Sequence, residues 1–443
     1  MKHKVDILIR YEHKVREFES IMLLKIEMER RGYSVAFVAN YDYKNNNRYD
    51  PKLIVSPAIY SDSQLVTDIS KYGLKKKIAN LLWEQVTVRS HEESPTSPQN
   101  VYGTGQKAIA FCWGKNTQRR LMSVGMPEEN AKVVGLINTD FLRGPFAKLL
   151  STKEQLAKKY DINVNTRWNL FVSSFAYCEL DKIQENLIRK EFGDKFFEDY
   201  TNISVESRKI LLVWFEELLK RYPNDILIYR PHPDEIGKSI ELKRLRSCYP
   251  NFYVISDLSL KHWFNAVDKI YNWHSTGIID GVILNKPCRM LRPCAISKDY
   301  DYKLFDSASQ IKDLNELIDD YGSMDTTIGL DKNKVEDYYF MPNRYVYQEI
   351  CDVLEDMLNT DKYDIHYSKA EKRFFRKVYL KTKISRSLDF IKPLLRKLHL
   401  FKEAFEKSDI HHKALEAGYK KNVATEEEIT ILYNQLKPIV YGQ

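Results

Sequence analysis

The sequence lacks long hydrophobic runs. No stretch of its 443 residues reaches the roughly 18 consecutive apolar residues that a membrane-spanning helix needs. The segment from Met1 to Asp6 also has no apolar run of signal-peptide length. We therefore expect a cytoplasmic protein.

Paired cysteines are absent as well. The six cysteines form neither a CxxC pair nor a regular framework, so the sequence suggests no zinc site and no disulfide scaffold. They are Cys112, Cys178, Cys248, Cys288, Cys294 and Cys351. We expect reduced thiols that are mostly structural.

Three short patterns fall short of a cofactor or metal motif. The segment Gly103-Thr104-Gly105 lacks the third glycine of a dinucleotide fingerprint. Asp299-Tyr300-Asp301 has the acid-x-acid form of a Mn²⁺ site but lies in a loop rich in lysine and tyrosine, and His411-His412 has no partner ligands at zinc spacing. We expect no cofactor and no metal.

The length and composition indicate a multidomain globular protein. A chain of 443 residues is too long for one ordinary core, and 43% hydrophobic with 29% charged residues is typical of soluble domains. A strand at 5–9, a helix at 17–31 and a strand at 34–39 predict a doubly wound α/β domain. A second such unit starts with the strand at 168–175, and helical patterns dominate after 334. We predict domains at 1–150, 151–345 and 346–443.

The positive charge is concentrated in one segment. Residues 366–402 contain twelve Lys/Arg and two acids, a local charge of +10 against +8 for the whole chain, so the remainder is near neutral. This pattern disfavours nucleic acid as a partner. Large apolar residues are interleaved with the basic ones. This pattern predicts a helix that contacts an anionic lipid surface, here the inner face of the cytoplasmic membrane. The alternative is a solvated helix that packs on the catalytic domains.

Two polar clusters follow predicted strands in the second unit. Tyr229 to Glu235 follows a strand at 226–228, and Tyr271 to Gly277 follows a strand at 267–271. Open α/β sheets bind ligands at the carboxyl ends of their strands. The second cluster predicts a short helix that Ser275 or Thr276 caps and that ends before Asn285-Lys286-Pro287, with backbone N–H groups available to a phosphate.

Several segments in order resemble a known family. They are Lys14-Val15-Arg16-Glu17-Phe18, Arg31-Gly32-Tyr33-Ser34-Val35, Phe111-Cys112-Trp113-Gly114, Lys132-Val133-Val134-Gly135, Ser173-Ser174-Phe175, Arg230-Pro231-His232-Pro233, Ser275-Thr276-Gly277 and Lys286-Pro287. Over residues 1 to 345 the chain resembles bacterial surface-carbohydrate biosynthesis proteins, a set of GT-B glycosyltransferases. The wider group includes capsule Kdo transferases, sialyltransferase-like enzymes and transferases of nonulosonic acids such as pseudaminic acid.

The resemblance implies an α/β GT-B fold of two Rossmann-like parallel-sheet domains facing a cleft, here with a helical C-terminal extension. It further implies transfer of a nonulosonic acid, without a metal, from a CMP-activated donor to a glycan or lipid-linked glycan of a capsule or lipopolysaccharide. The alternatives are a UDP-sugar or CDP-glycerol donor on the same fold, or a non-catalytic scaffold of a polysaccharide assembly complex.

The resemblance also implies which residues hold the donor. His232 donates to the leaving phosphate, the alternative being a loop histidine bonded to a carbonyl. The remaining expected donor-binding residues are Arg230, His274, Ser275, Thr276, Gly277, Ser173 and Ser174. Arg230 either pairs with a carboxylate or phosphate or braces its loop. His274 either reaches the phosphate or sugar carboxylate or lies inside the strand end.

The catalytic carboxylate is harder to choose. Glycosyl transfer needs a base for the acceptor hydroxyl or, in a retaining double displacement, a nucleophile with an acid/base. Glu84 follows the apolar run 78–83 in the domain that supplies the acceptor side of GT-B enzymes, and we predict that it has this role. Glu12 and Glu17, beside the end of the first strand, are the alternatives.

Overall fold

The protein is described here by a computed structural model that covers residues 2–42, 45, 47–235, 239–387, 416 and 418–442. The chain forms two compact units. Unit 1 comprises Met1–Gln85, Pro95–Asp140 and Tyr339–Gln443, and unit 2 comprises Val86–Ser94 and Phe141–Tyr338. Among the described residues, no helix combines the length and the apolar character needed to cross a membrane.

Unit 1 contains a six-stranded parallel sheet in the order β2-β1-β3-β4-β5-β6. Its strands are β1 (His3–Tyr11), β2 (Val35–Ala39), β3 (Tyr49–Ser56), β4 (Lys77–Asn80), β5 (Ile109–Cys112) and β6 (Ala131–Val133). Strand β1, which lies between β2 and β3, has its second half buried, as expected for a parallel strand covered on both faces. The predicted doubly wound sheet is confirmed.

Unit 2 contains a second six-stranded parallel sheet, in the order β12-β11-β10-β7-β8-β9. Its strands are β7 (Trp168–Val172), β8 (Ile226–Arg230), β9 (Phe252–Val254), β10 (Lys269–Asn272), β11 (Cys288–Leu291) and β12 (Gln310–Ile311). The chain adds β8 and β9 on one side of β7 and then returns to add β10, β11 and β12 on the other side. The boundary between β7 and β10 is therefore the point at which the strand order reverses.

Helices connect and flank the strands. Those of unit 1 and its C-terminal region are α1 (Lys14–Arg30), α2 (Asp62–Tyr72), α4 (Lys115–Ser123), α14 (Val346–Asn359), α15 (Lys369–Ser387) and α16 (Glu426–Val440). Those of unit 2 are α3 (Arg89–Glu92), α5 (Lys153–Tyr160), α6 (Lys182–Phe192), α7 (Asp194–Phe196), α8 (Asn202–Arg221), α9 (Ile240–Cys248), α10 (Leu260–Ala266), α11 (Ile278–Ile283), α12 (Leu314–Gly322) and α13 (Lys332–Tyr338). A single π-helical turn, Phe197–Thr201, joins α7 to α8.

Local sequence chemistry sets several helix boundaries. Ser61, Thr152 and Asp181 each form a capping box at the start of a helix, in which the side chain accepts from the backbone while a glutamine three residues later bonds back. The predicted cap of α11 is wrong in detail. Gly277 is the N-cap residue and makes no side-chain bond, while the Ser275 hydroxyl accepts from the Gly277 N–H at 3.2 Å.

Strand β4 includes only the first part of the apolar run 78–83 that precedes Glu84. The strand ends at Asn80, and Leu82 takes a left-handed backbone conformation with φ of 48°. The buried Asn80 side chain holds this turn by accepting from the Ile59 and Leu82 N–H groups and donating to the Ile59 carbonyl. The rest of the run is therefore a buried turn that leads to Glu84.

The described part of the predicted extension 346–443 belongs to unit 1. Helices α14 and α16 pack on α1, and α15 packs on α2. Residues 388–402 of the basic segment, and also His411 and His412, lie outside the described residues.

Candidate functional site

A cavity of about 530 Å³ opens at the carboxyl ends of the central strands of unit 2. Strand register brings the strand ends together, because Val172 of β7 pairs with Arg230 of β8 on one side and with Asn272 of β10 on the other. The residues that follow these strands therefore converge. They lie beside the reversal of strand order between β7 and β10, which is where doubly wound sheets bind ligands.

The lining combines hydroxyls and histidines with aromatic and aliphatic groups. It consists of Ser174, Ala176, Tyr177, Leu180, Gln184, Leu187, Ile188, Tyr200, His232, Asp234, His274, Ser275, Thr276 and Tyr302. Five predicted donor-binding residues are among them, namely Ser174, His232, His274, Ser275 and Thr276. Three others, Ser173, Arg230 and Gly277, are outside this set.

His232 is held as a neutral hydrogen-bond donor. Its Nδ1 accepts from the backbone N–H of Asp234 at 3.2 Å, so the proton of the neutral ring is on Nε2. Burial lowers the pKa of His232 below its usual value, and the opposing influence of Asp234 and Glu235 is smaller. The half-buried ring therefore offers an Nε2–H to a ligand at neutral pH.

A buried carboxylate fixes the loop that carries His232. Glu235 is 2% exposed, and its Oε2 accepts from the His232 backbone N–H at 3.2 Å and from the Ser173 hydroxyl at 2.6 Å. Its Oε1 accepts from the Tyr229 hydroxyl at 2.7 Å and from Arg208 Nε at 2.9 Å. Four donors thus saturate one carboxylate. Ser173 is part of this support.

Both ring nitrogens of His274 lie beside polar side chains inside the cavity wall. Nδ1 lies 2.8 Å from the Tyr200 hydroxyl, and Nε2 lies 3.2 Å from Asp301 Oδ1. The His274 backbone N–H donates to the Ser174 hydroxyl at 3.1 Å, which joins β10 to β7 across the strand reversal. Burial lowers the pKa of His274, so this ring is also neutral. These contacts place the His274 side chain within the wall, where it helps to determine the shape of the cavity.

The turn after β10 presents two hydroxyls. The fully buried Asn272 clamps this turn, because its Oδ1 accepts from the Ser275 N–H at 2.7 Å and its Nδ2 donates to the Ser275 carbonyl at 2.9 Å. Ser275 Oγ accepts from Gly277 and keeps its own O–H for a ligand. Thr276 adds a second hydroxyl.

Arg230 braces a neighbouring loop. Its guanidinium donates to the carbonyls of Ile255, Asp257 and Leu258. Leu258 has a φ of 63°, a conformation that side-chain-bearing residues rarely adopt, and two of these bonds hold the carbonyls on either side of it. Arg230 therefore holds the loop at 255–258 and not the loop that carries His232.

Glu84 lies in unit 1 beside Arg16. Its carboxylate contacts Arg16 Nη1 at 3.1 Å, while Arg16 Nη2 contacts Glu17 at 2.8 Å. Glu17 is fully buried and accepts from the Glu12 backbone N–H, whereas the Glu84 side chain is 57% exposed. Of these three acids, Glu17 is committed to internal contacts and Glu84 is open to an incoming group.

The two aspartates of the acid-x-acid pattern have different partners. Asp299 lies 3.5 Å from Lys195, and Asp301 lies 3.1 Å from Arg292 Nη2 as well as beside His274. The hydrogen bond from His274 and the charge of Arg292 outweigh burial and lower the pKa of Asp301. In the described ranges, no group of three or more His, Cys, Asp or Glu side chains is arranged for a metal ion.

Sequence reasoning did not identify one wall of the cavity. Helix α6 contributes Gln184, Leu187 and Ile188, and Tyr200 comes from the π-helical turn. The segment 176–201 has no strand pattern and no motif. Its helical periodicity predicts helices but does not indicate that they line a cavity. Glu235 ends the polar cluster Tyr229 to Glu235. Its role in holding the His232 loop also involves Arg208, which lies 27 residues earlier in the chain.

The comparisons with known proteins identify a fold. No family model matches the chain, and no curated protein matches its sequence. Wall teichoic acid polymerase TagF superposes with a TM-score of 0.52 at 12% identity, over 80% of this chain and 89% of that chain. A TagF variant soaked with CDPG gives 0.51 at 12% identity over the same shares.

UDP-GlcNAc 2-epimerase from Methanocaldococcus jannaschii gives a TM-score of 0.50 at 13% identity, over 80% of this chain and 99% of that chain. At such identities the likeness shows the fold alone. The chain has a GT-B fold, the architecture of glycosyltransferases and nucleotide-sugar epimerases.

Proposed function

We propose that the protein is a glycosyltransferase that moves a nonulosonic acid of the pseudaminic, Kdo or sialic type from a CMP-activated donor to a surface glycan. The observation that carries the proposal is the unit 2 cavity, where His232, Ser275 and Thr276 converge at the strand reversal. Such a location on a GT-B fold suits a nucleotide-linked sugar.

The lining offers neutral hydrogen-bond donors to the phosphate of a nucleotide-linked sugar. Its described residues include neutral donors and one carboxylate, Asp234, but no lysine or arginine. A CMP-activated nonulosonic acid and a nucleoside diphosphate sugar each carry two negative charges, the former on its phosphodiester and its sugar carboxylate, so the choice of CMP also rests on the sequence resemblance. The choice of a nonulosonic acid rests on the sequence resemblance.

The residues act on the leaving group as follows. Charge develops on the CMP phosphate as the glycosidic bond breaks. The neutral His232 Nε2–H and the hydroxyls of Ser275 and Thr276 donate to the phosphate oxygens, and these bonds strengthen as the charge grows. The Glu235 network holds His232 in one orientation, so little reorganisation is needed during the reaction.

Glu84 is the proposed catalytic carboxylate. Its exposed position distinguishes it from the buried Glu17. A carboxylate in this position can take the proton of an acceptor hydroxyl or attack the sugar as a nucleophile.

The direct test is release of CMP from a CMP-activated nonulosonic acid in the presence of an acceptor glycan, followed by chromatography. Wild-type protein should release CMP, and His232→Ala should release at least about a hundredfold less because one donor to the developing charge is lost. His366→Ala is the matched control, since this histidine is exposed and lies in unit 1. It should behave as the wild type.

Parallel reactions with UDP-GlcNAc and CDP-glycerol separate the alternatives. Turnover of either one, with CMP donors inert, would replace the proposed donor with the alternative donor. Binding of a nucleotide without turnover of any donor would favour the scaffold function.

A further inference from the structure

Helix α15 has two opposite faces. Phe375 is fully buried and packs with Tyr367 against the cluster of Ile59, Leu65 and Ile69. Glu371, in the first turn, pairs with Lys107 at 2.8 Å and accepts from the Thr104 hydroxyl at 3.0 Å. These contacts fix the rotation of the helix about its own axis.

The face opposite Phe375 is apolar at its centre and basic at both sides. Residues follow one another by about 100° around a helix. Leu380 and Ile384 lie on the same side of the helix as Arg373, with exposures of 56% and 60% for the two apolar side chains. Lys377 and Lys381 flank this stripe on one side.

Lys369 and Arg376 flank the stripe on the other side, and all of these basic side chains are exposed. Within the described part of the chain, the side chains of Arg373, Lys377 and Lys381 have no acidic partner. No acidic side chain of the described residues compensates their charge, which is therefore offered to an anionic surface.

We propose that the outward face of α15 docks on an anionic lipid bilayer. Leu380 and Ile384 would enter the boundary between headgroups and acyl chains, while the flanking lysines and arginines contact lipid phosphates. The proposal is independent of the donor and of the reaction.

The apolar centre favours lipid over other polyanions. Nucleic acid or an acidic glycan would contact only the basic side chains and would leave Leu380 and Ile384 exposed to water. A bilayer accommodates both parts of the face at once. Burial of the opposite face on unit 1 leaves this one outward, so docking requires no unfolding.

The experiment is co-sedimentation of the full-length chain with vesicles of phosphatidylcholine, with and without phosphatidylglycerol, at low salt. Deleting α15 would remove Phe375 and uncover the cluster of Ile59, Leu65 and Ile69, so surface substitutions are used instead. The double variant Lys377→Gln/Lys381→Gln should lower partitioning about 25-fold, since each charge is worth about fivefold, or about 1 kcal/mol. Leu380→Ser/Ile384→Ser should also lower it, including at high salt.

Helix α8 provides the matched control. Lys209 and Val213 are four residues apart and similarly exposed, with side-chain exposure of 70% for Lys209 and 60% for Val213. Lys209→Gln/Val213→Ser should bind vesicles as the wild type does. Unchanged melting temperatures would show that all variants are folded.

Two outcomes overturn the proposal. If both α15 variants partition like the wild type, any binding arises elsewhere, for example from 388–402. If the charge variant loses binding to vesicles and to duplex DNA equally while the Leu380→Ser/Ile384→Ser variant keeps both, the face is a general polyanion site.

Discussion

Glu235→Gln tests whether the buried network holds His232 in place. The amide keeps the shape of the side chain but loses the charge and one acceptor. In the wild type, one oxygen serves Arg208 and Tyr229 and the other serves Ser173 and the His232 backbone. If the amide nitrogen of the glutamine replaced the oxygen that accepts from Ser173 and His232, its N–H group would face the His232 N–H group, and two donors would oppose each other.

The size of the effect follows from the partners that remain. Removing one partner of a buried ion pair costs about 3–5 kcal/mol. Glu179 also lies 3.1 Å from Arg208 Nη2, and the glutamine retains one acceptor, so we expect about 2–3 kcal/mol. For a domain of this size, that corresponds to a fall of roughly 5–10 °C in melting temperature. Affinity for CMP should fall at least about tenfold because His232 is no longer positioned.

The assay is a thermal melt with and without CMP, and Glu216→Gln is the control. Glu216 pairs with Arg244 at 2.6 Å on the same unit but outside the cavity, and its loss should cost less than about 1 kcal/mol. If Glu235→Gln does not fold, Ser173→Ala removes a single donor from the network and should weaken CMP binding alone. Normal melting and normal CMP affinity in both variants would refute the positioning role of Glu235.

Three further predictions concern catalysis, metal and pH. Glu84→Gln should bind CMP normally but turn over at least about a hundredfold more slowly, and full activity in the transfer assay would move the role to another acid. Transfer should continue in excess EDTA, and loss that Mn²⁺ restores would redirect attention to Asp299 and Asp301. Burial raises the pKa of Asp280 to about 6 from 3.8, so its ionisation destabilises the fold as pH rises through this window. Asp280→Asn should therefore raise the free energy of unfolding at pH 8 by about 1 kcal/mol after allowance for partial exposure, seen as a higher melting temperature, and should have no such effect at pH 3.5; equal shifts at both pH values would contradict this.

The fold was largely predictable because its signals are local. Alternating apolar strands and helices along the chain predict a doubly wound sheet, and the strand predicted at 34–39 is found as β2 at Val35–Ala39. The strand ends next to His232 and His274 were predictable for the same reason. Those ends meet because β7 pairs with both β8 and β10, with Val172 in register with Arg230 and Asn272.

The supporting contacts were not predictable, because they join residues far apart in the chain. Arg208 reaches Glu235 from helix α8, and Asp301 reaches His274 from a loop after β11. A motif shows which polar residues follow a strand but not which of them faces a ligand. Ser173 and Ser174 are adjacent, yet only Ser174 lines the cavity.

The most direct test of the account is a thermal-shift comparison of CMP, CDP, UDP and GDP on the wild type and on His232→Ala. A ligand at 100 times its Kd stabilises the native state by about 2.7 kcal/mol. We predict that CMP raises the melting temperature of the wild type more than the other nucleotides do, and that His232→Ala loses most of this shift while melting normally without ligand. Stabilisation by UDP and not by CMP, or an unchanged CMP shift in His232→Ala, would contradict the assignment of this cavity as a CMP-sugar site.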